Sequence, residues 1–266
     1  MREQIESAAN KKIKLAASLA QRKHRQKEGR FVAEGVRLVE MVAASDWTID
    51  FALFTPELEQ DERGAKLLTS LETKCPVCEV SAPLFKKASG TETPQGILAV
   101  VRMNHAELDA FAESDNPFYV VLDGVQDPGN AGTIIRTADA AGADGIIFLT
   151  GCVDVFDAKT VRAAMGSLFH IPVVTNVNRA EFLDFTTKKG LKLYATALDD
   201  TAKTIYETDL TGGTAVVFGN EGNGVSEELL HASQSVYIPM YGGAESLNVN
   251  ASAAIVLYEA VRQRHF

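Results

Sequence analysis

The sequence predicts an α/β protein in two parts, a small N-terminal α/β domain followed by a larger, doubly wound parallel one. Three observations carry that prediction. Short apolar runs alternate with helical stretches along the 266 residues, as strands and helices do in α/β folds. Phe118-Tyr119-Val120-Val121-Leu122 is apolar throughout, the pattern of a parallel strand covered on both faces. Between the halves lies a polar stretch, 104–117, rich in Asp and Glu and closed by Pro117. The expected domains are therefore 1–103 and 118–266, with 104–117 as the linker.

Taken in order, residues 3–27 read as a helix with Ile5, Ile13, Leu15 and Leu19 as a partial apolar stripe. A short strand at 31–33 and a helix over 36–42 follow. Then come a strand at 51–54, a helix over 58–71 and strands at 77–80 and 96–101. In the second half the strand at 118–122 leads through a glycine-rich turn to a helix over 133–141. Further strands are expected at 145–149, 193–197, 215–218 and 236–238, with helices between them. The alanine-rich run after Asn248 reads as a last helix. It ends in Arg262 and Arg264, cations suited to the negative end of its dipole.

Composition narrows the function. Apolar residues make up 46% and charged residues 23%, ordinary for a chain that buries a full core. No apolar run approaches the length of about 18 residues that spans a bilayer, and the charged N-terminus lacks the core of a signal peptide. Three cysteines, an odd number in a long chain, argue against a disulfide framework, so a reducing cytoplasm fits best. Cys75 and Cys78 form a lone C-x-x-C with no second ligand pair, so no metal is expected. The net charge is −9, yet residues 1–40 hold ten Lys/Arg against five Glu. Their densest part, Arg22 to Arg30, is a candidate phosphate footprint, although most such runs are simply solvated helix faces.

Three glycine-rich loops follow apolar strands, where α/β sheets bind ligands. The first, Asp123 to Gly132, contains Asn130 and is followed by Arg136. An arginine near a helix start is unfavourable with respect to the dipole and calls for an anionic partner, a ligand phosphate or a structural carboxylate. The second, Phe218-Gly219-Asn220-Glu221-Gly222-Asn223-Gly224, sets one carboxylate among three glycines. The third runs from Ile238 through Met240 to Ser246-Leu247-Asn248. Neither a dinucleotide fingerprint nor a Walker lysine occurs. That removes the nicotinamide and nucleoside-triphosphate readings.

These three loops resemble, in order, the motifs of the SpoU (TrmH) family of the SPOUT superfamily, RNA ribose 2′-O-methyltransferases that use S-adenosylmethionine. The resemblance covers residues 118–264, with looser marks at Arg25 to Gly35 and Thr93 to Gly96. It implies a C-terminal parallel sheet tied in a deep trefoil knot, a rare exception to unknotted topology. It also implies an N-terminal ribosomal-protein-like RNA-binding domain and a homodimer. The matching catalytic positions are Arg136, Asn130, Glu221, Ser246 and Asn248. The cofactor positions are Gly219, Ile238, Leu247, Leu198 and Met240. In this setting Arg22, Lys23, Arg25, Lys27, Arg30 and Arg162 become expected RNA contacts, with Lys159 beside them. The expected substrate is large-subunit rRNA. The alternatives are tRNA and a non-catalytic ribosome-assembly factor. The sequence does not name the modified nucleotide.

Overall fold

The computed structural model describes residues 2–104 and 106–266. They form two compact units, residues 2–104 with 156–169, and residues 106–155 with 170–266.

The first unit begins with β1 (Glu3–Ile5), α1 (Lys11–Ser18) and α2 (Arg22–Glu28), where the sequence suggested one continuous helix. Two events divide it. Ile5 joins a sheet edge through parallel pairing of β1, and the Asn10 side chain caps α1 by accepting the Lys12 amide at 2.8 Å. The far end of α1 is closed by Arg25, which donates to the carbonyls of Leu19 and Ala20 at 2.9 Å each. Those carbonyls have no helical donor.

The unit continues with β2 (Arg30–Glu34), α3 (Val36–Ala44), β3 (Ile49–Phe54), α4 (Glu62–Glu72), β4 (Val77–Val80), α5 (Ala82–Ala88) and β5 (Ile97–Arg102). The expected helix over 58–71 is a 3-10 turn at Pro56–Gln60 followed by α4. Pro56 starts the turn, and Asp61 restarts the chain as the α4 N-cap. The sheet order is β1-β4-β3-β5-β2, with β5 antiparallel to both neighbours.

The second unit carries β6 (Phe118–Asp123), α6 (Pro128–Ala140) and β7 (Gly145–Leu149). The chain then gives α7 (Ala158–Ala163) to the first unit. There Phe156 and Phe169 join Phe31 and Trp47 in a cluster with ring centroids 5.1–6.4 Å apart. The second unit resumes with β8 (Val173–Val177), α8 (Arg179–Lys189), β9 (Lys192–Thr196), β10 (Lys203–Thr204), β11 (Thr214–Gly219), α9 (Glu227–Ala232), β12 (Gln234–Tyr237) and α10 (Val249–His265).

Its seven strands are all parallel, in the order β10-β12-β9-β11-β6-β7-β8. The central strands β6, β7 and β11 are buried along their whole length, which is why they read as unbroken apolar runs. The polar stretch after residue 104 is partly core. Leu108 and Phe111 are buried with Tyr119 and Phe185, and Phe111 fills the space that a side chain at Gly145 would need. Arg264, near the end of α10, donates to the carbonyls of Leu210, Asn116 and Gly212 and lies over the Phe118 ring at 4.7 Å.

Candidate active site and cofactor cleft

The turn after β6 and the loop after β11 are laced together. Gly219 pairs in register with Asp123 at the ends of the two strands. Beyond them the loop 220–224 closes on itself, with Asn220 and Gly224 exchanging both backbone hydrogen bonds at 2.9 Å. Asn220 Oδ1 accepts the amides of Gly222 and Asn223 at 3.0 Å, and its Nδ2 donates to Gly124 O at 2.8 Å. This fold-back leaves Gly219 no room for a side chain. A Cβ there would lie 2.1 Å from the Gly224 carbonyl carbon.

Glu221 reaches across to the first loop. Its carboxylate accepts the amides of Gln126 (3.2 Å) and Asp127 (3.1 Å) and the side-chain amide of Asn130 (3.0 Å). Burial pushes the Glu221 carboxyl upward, but the hydrogen bonds from Asn130 and from backbone amides outweigh it and hold the group below its usual value. Asn130 in turn accepts the side-chain amide of Asn250 at 3.1 Å. One residue from each of the three loop regions therefore joins a single chain of hydrogen bonds. Asn250 was not among the residues singled out in the sequence. Its signal there was slight, a polar residue in the first turn of a helix whose N-terminal half is mostly apolar.

The second and third loops wall a cavity of about 760 Å3 that contains Gly219, Glu221, Ile238, Met240, Ser246, Leu247, Asn248 and Leu198. Leu198 is 78% exposed, and Met240 and Leu247 also present apolar surface. A cleft of this size, with apolar walls and a few polar groups, has the character of a small-molecule site. Ser246 is exposed at its rim, and Asn248 caps α10 by accepting the Asn250 amide at 3.0 Å. All five expected cofactor positions line this cavity.

Arg136 departs from its expected setting. Helix α6 starts at Pro128, capped by Asp127 at the Asn130 amide (2.8 Å), rather than at Thr133. Pro128 supplies the fixed φ of a first helical position. Asn130 thus sits in the first turn and Arg136 in the third, so the argument from an unfavourable dipole does not hold. Arg136 is exposed, does not line the cavity, and makes no hydrogen bond or ion pair among the described residues.

The basic N-terminal run divides in two. Arg22, Lys23 and Lys27 are exposed. Arg25 is 3% exposed, bonded to two carbonyls and 3.5 Å from Asp157, so its guanidinium serves the fold and does not face a polyanion. Arg30 pairs with Asp50 and donates to Glu28 O, which likewise engages it internally. Arg162 is half-buried and Lys159 exposed, both on α7. Cys75 and Cys78 are buried free thiols, and burial pushes the Cys75 thiol up to about 11. Among the described residues no group of three or more His, Cys, Asp or Glu is arranged to hold a metal ion.

Comparison with known proteins agrees with this architecture. Residues 117–258 match the SpoU rRNA Methylase family, and residues 10–99 match the MRM3-like substrate binding domain. The chain is 40% identical to the 23S rRNA (guanosine(2553)-2′-O)-methyltransferase RlmP of Bacillus subtilis, over 96% of this chain and 98% of that one. It is 32% identical to a 23S rRNA (uridine(2479)-2′-O)-methyltransferase of Streptomyces viridochromogenes, over 93% and 88%. The crystal structure of an AdoMet-bound rRNA methyltransferase from Sinorhizobium meliloti superposes with a TM-score of 0.87 at 33% identity, covering 98% of this chain and 97% of that one. On its loops, its cleft and its match along the second unit, the chain belongs to the SpoU rRNA methylase family.

Proposed function

We propose that this chain transfers a methyl group from S-adenosylmethionine to a ribose 2′-hydroxyl of 23S-type ribosomal RNA. The observation that carries the reading is the linked pair of loops, with Glu221 and Asn130 at their junction and the apolar cleft beside them. Both named 23S rRNA relatives span the N-terminal unit as well as the second one, which favours rRNA over tRNA.

The residues of the cleft suit the cofactor. Leu198, Ile238, Met240 and Leu247 offer apolar surface for a nucleoside and a thioether stem, and the closed loop at Gly219 brings backbone close to the cavity. When bound, S-adenosylmethionine supplies an electrophilic methyl on a sulfonium centre. The protein's task is to set the ribose oxygen in line with it and to stabilise charge as the hydroxyl loses its proton. Arg136 has no hydrogen-bond or ion-pair partner to give up among the described residues. Its guanidinium offers a fork of N–H donors and no acceptor, so its part is to bind the neighbouring phosphate and the developing alkoxide. Asn130 and Glu221 hold the loops in register. Asn248 keeps its Nδ2 for the substrate, since its Oδ1 caps α10, and Ser246 stands at the rim with its hydroxyl exposed.

Arg22, Lys23 and Lys27, with Arg162 and Lys159, contact RNA phosphates and position the substrate without reading its sequence. The protein works as a homodimer. Ile255 and Tyr258 leave apolar surface exposed on α10, which a second copy would cover. The knot belongs to the same reading. Helix α10, reached from β12, packs against α6 and is tied to it through Asn250 and Asn130. A cytoplasmic location fits an rRNA substrate and a chain in which no described helix is long and apolar enough to cross a membrane.

The test is transfer of labelled methyl to unmodified 23S rRNA and, in parallel, to tRNA. Label on 23S rRNA alone supports the reading. Label on tRNA alone, or on neither despite cofactor binding, overturns it.

A further inference from the structure

The first unit contains a second cavity, of about 840 Å3, where the start of α3, the end of β3 and the segment before β5 meet. Several features shape it around Gln95. Gln95 Oε1 accepts the Val36 amide at 3.0 Å, capping α3 from 59 residues away. Gly35 and Gly96 flank that contact with φ of +102° and +73°. A Cβ on Gly35 would lie 2.9 Å from Gln95 Oε1, and one on Gly96 would lie 2.6 Å from Thr55 Oγ1. The segment leading to Gln95 is anchored by Glu34, a buried carboxylate. It accepts the hydroxyls of Ser89 and Thr91 at 2.5 Å and the Gly90 amide at 3.1 Å.

This arrangement fixes the Gln95 amide. With Oε1 taken by the Val36 amide, Nε2 remains as a donor on a residue that lines the cavity. Of the other polar groups there, Asp61 caps α4, Arg63 pairs with Glu40, and the Glu57 carboxylate is held by the Thr55 side chain. Gln95 Nε2, Lys86 and Glu92 have no partner among the described residues. A donor, an acceptor and a cation therefore stand around an open space with Val36, Pro94 and Gly96 in its wall. That set complements one nucleotide unit. An amide and a carboxylate suit the acceptor and amino groups on a base edge, and a lysine suits the adjoining phosphate. RNA offers such base edges where nucleotides are unstacked in loops and bulges.

Resting on the rRNA reading above, we infer that this cavity receives one unstacked nucleobase of the substrate RNA, read by Gln95 and Glu92, and so contributes to the choice of site. The carboxylate gives the inference a sign that simple electrostatics does not share. If Glu92 only repels the polyanion, neutralising it strengthens RNA binding. If it accepts from a base, neutralising it weakens binding.

The experiment measures the affinity of the full-length protein for unmodified 23S rRNA transcribed in vitro, for wild type, Glu92→Gln, Gln95→Glu and Lys86→Gln, at two salt concentrations. Gln95→Glu keeps an acceptor for the Val36 amide while losing the Nε2 donor, so its thermal stability is expected to hold. Glu92→Gln and Gln95→Glu are each expected to weaken RNA binding roughly tenfold, with little change in salt slope for Glu92→Gln. Lys86→Gln weakens binding and flattens the slope. RNA affinity equal to or above wild type in Glu92→Gln, or unchanged affinity in a stably folded Gln95→Glu, overturns the inference. The methyl-transfer assay on wild-type protein separates this from failure of the functional reading. If wild type modifies 23S rRNA while these variants bind normally, only the nucleobase site is lost.

Discussion

The side-chain nitrogen of Asn130 lies 3.0 Å from Glu221 Oε1, although the two residues are 91 apart in sequence. That bond, with the two backbone amides on the same carboxylate, makes two loops one unit. Glu221→Gln replaces an acceptor-only group by an amide, one half of which opposes the N–H donors. We expect a stability loss of about 1–3 kcal/mol in urea denaturation, together with weaker S-adenosylmethionine binding by calorimetry. Asn130→Ala should weaken cofactor binding in the same direction.

The same carboxylate makes a pH prediction. Its folded-state value lies below the usual one near 4.5, so the unfolded chain takes up its proton first as pH falls. The stabilising contribution is therefore complete above the usual value. It fades as pH drops through the depressed one. The stability gap between wild type and Glu221→Gln should be constant from neutral pH to about 5 and close below about 4. A gap that widened on acidification would contradict the geometry.

Gly219 faces the backbone of Gly224 and Val225 at 2.1–2.2 Å from an added Cβ. Backbone cannot swing aside as a side-chain tip can. Gly219→Ala should cost about 1–3 kcal/mol and reduce cofactor affinity, whereas Gly242→Ala, with open space around it, should do neither.

Charge substitutions in the basic run should separate by burial. Arg22→Glu, Lys23→Glu and Lys27→Glu lie on the surface and should lower RNA affinity while changing stability by less than about 0.5 kcal/mol. Arg25→Ala leaves two carbonyls without a donor and removes the cation beside Asp157. It should cost about 3–5 kcal/mol, read from thermal denaturation.

Much of this fold was legible in the sequence because buried parallel strands have no polar face. The runs 118–122 and 145–149 read directly as β6 and β7. Less legible was β8, Val173–Val177, whose alternation is broken by Asn176 at φ +63° beside a register shift. The N-terminal stretch does not stay one helix because Ile5 pairs with a strand distant in sequence and Asn10 starts α1 afresh, and a partial apolar stripe reports neither. In the site, the loops were visible through their glycines. The helix start at Pro128 and the part played by Asn250 were not, since both follow from where the loops meet. Arg25 and Arg30 looked like their surface neighbours, because charge pattern alone does not report burial.

The most direct test of the central claim is alkaline hydrolysis of 23S rRNA after incubation with S-adenosylmethionine and either wild type or Arg136→Ala. A methyl on a 2′-oxygen blocks cleavage at that nucleotide. The account predicts one protected position with wild type and, because Arg136 has no hydrogen bond or ion pair to lose among the described residues, a normally folded variant slowed about 100-fold or more. A wild-type product that hydrolyses at every position, or an Arg136→Ala protein with full turnover, would contradict it.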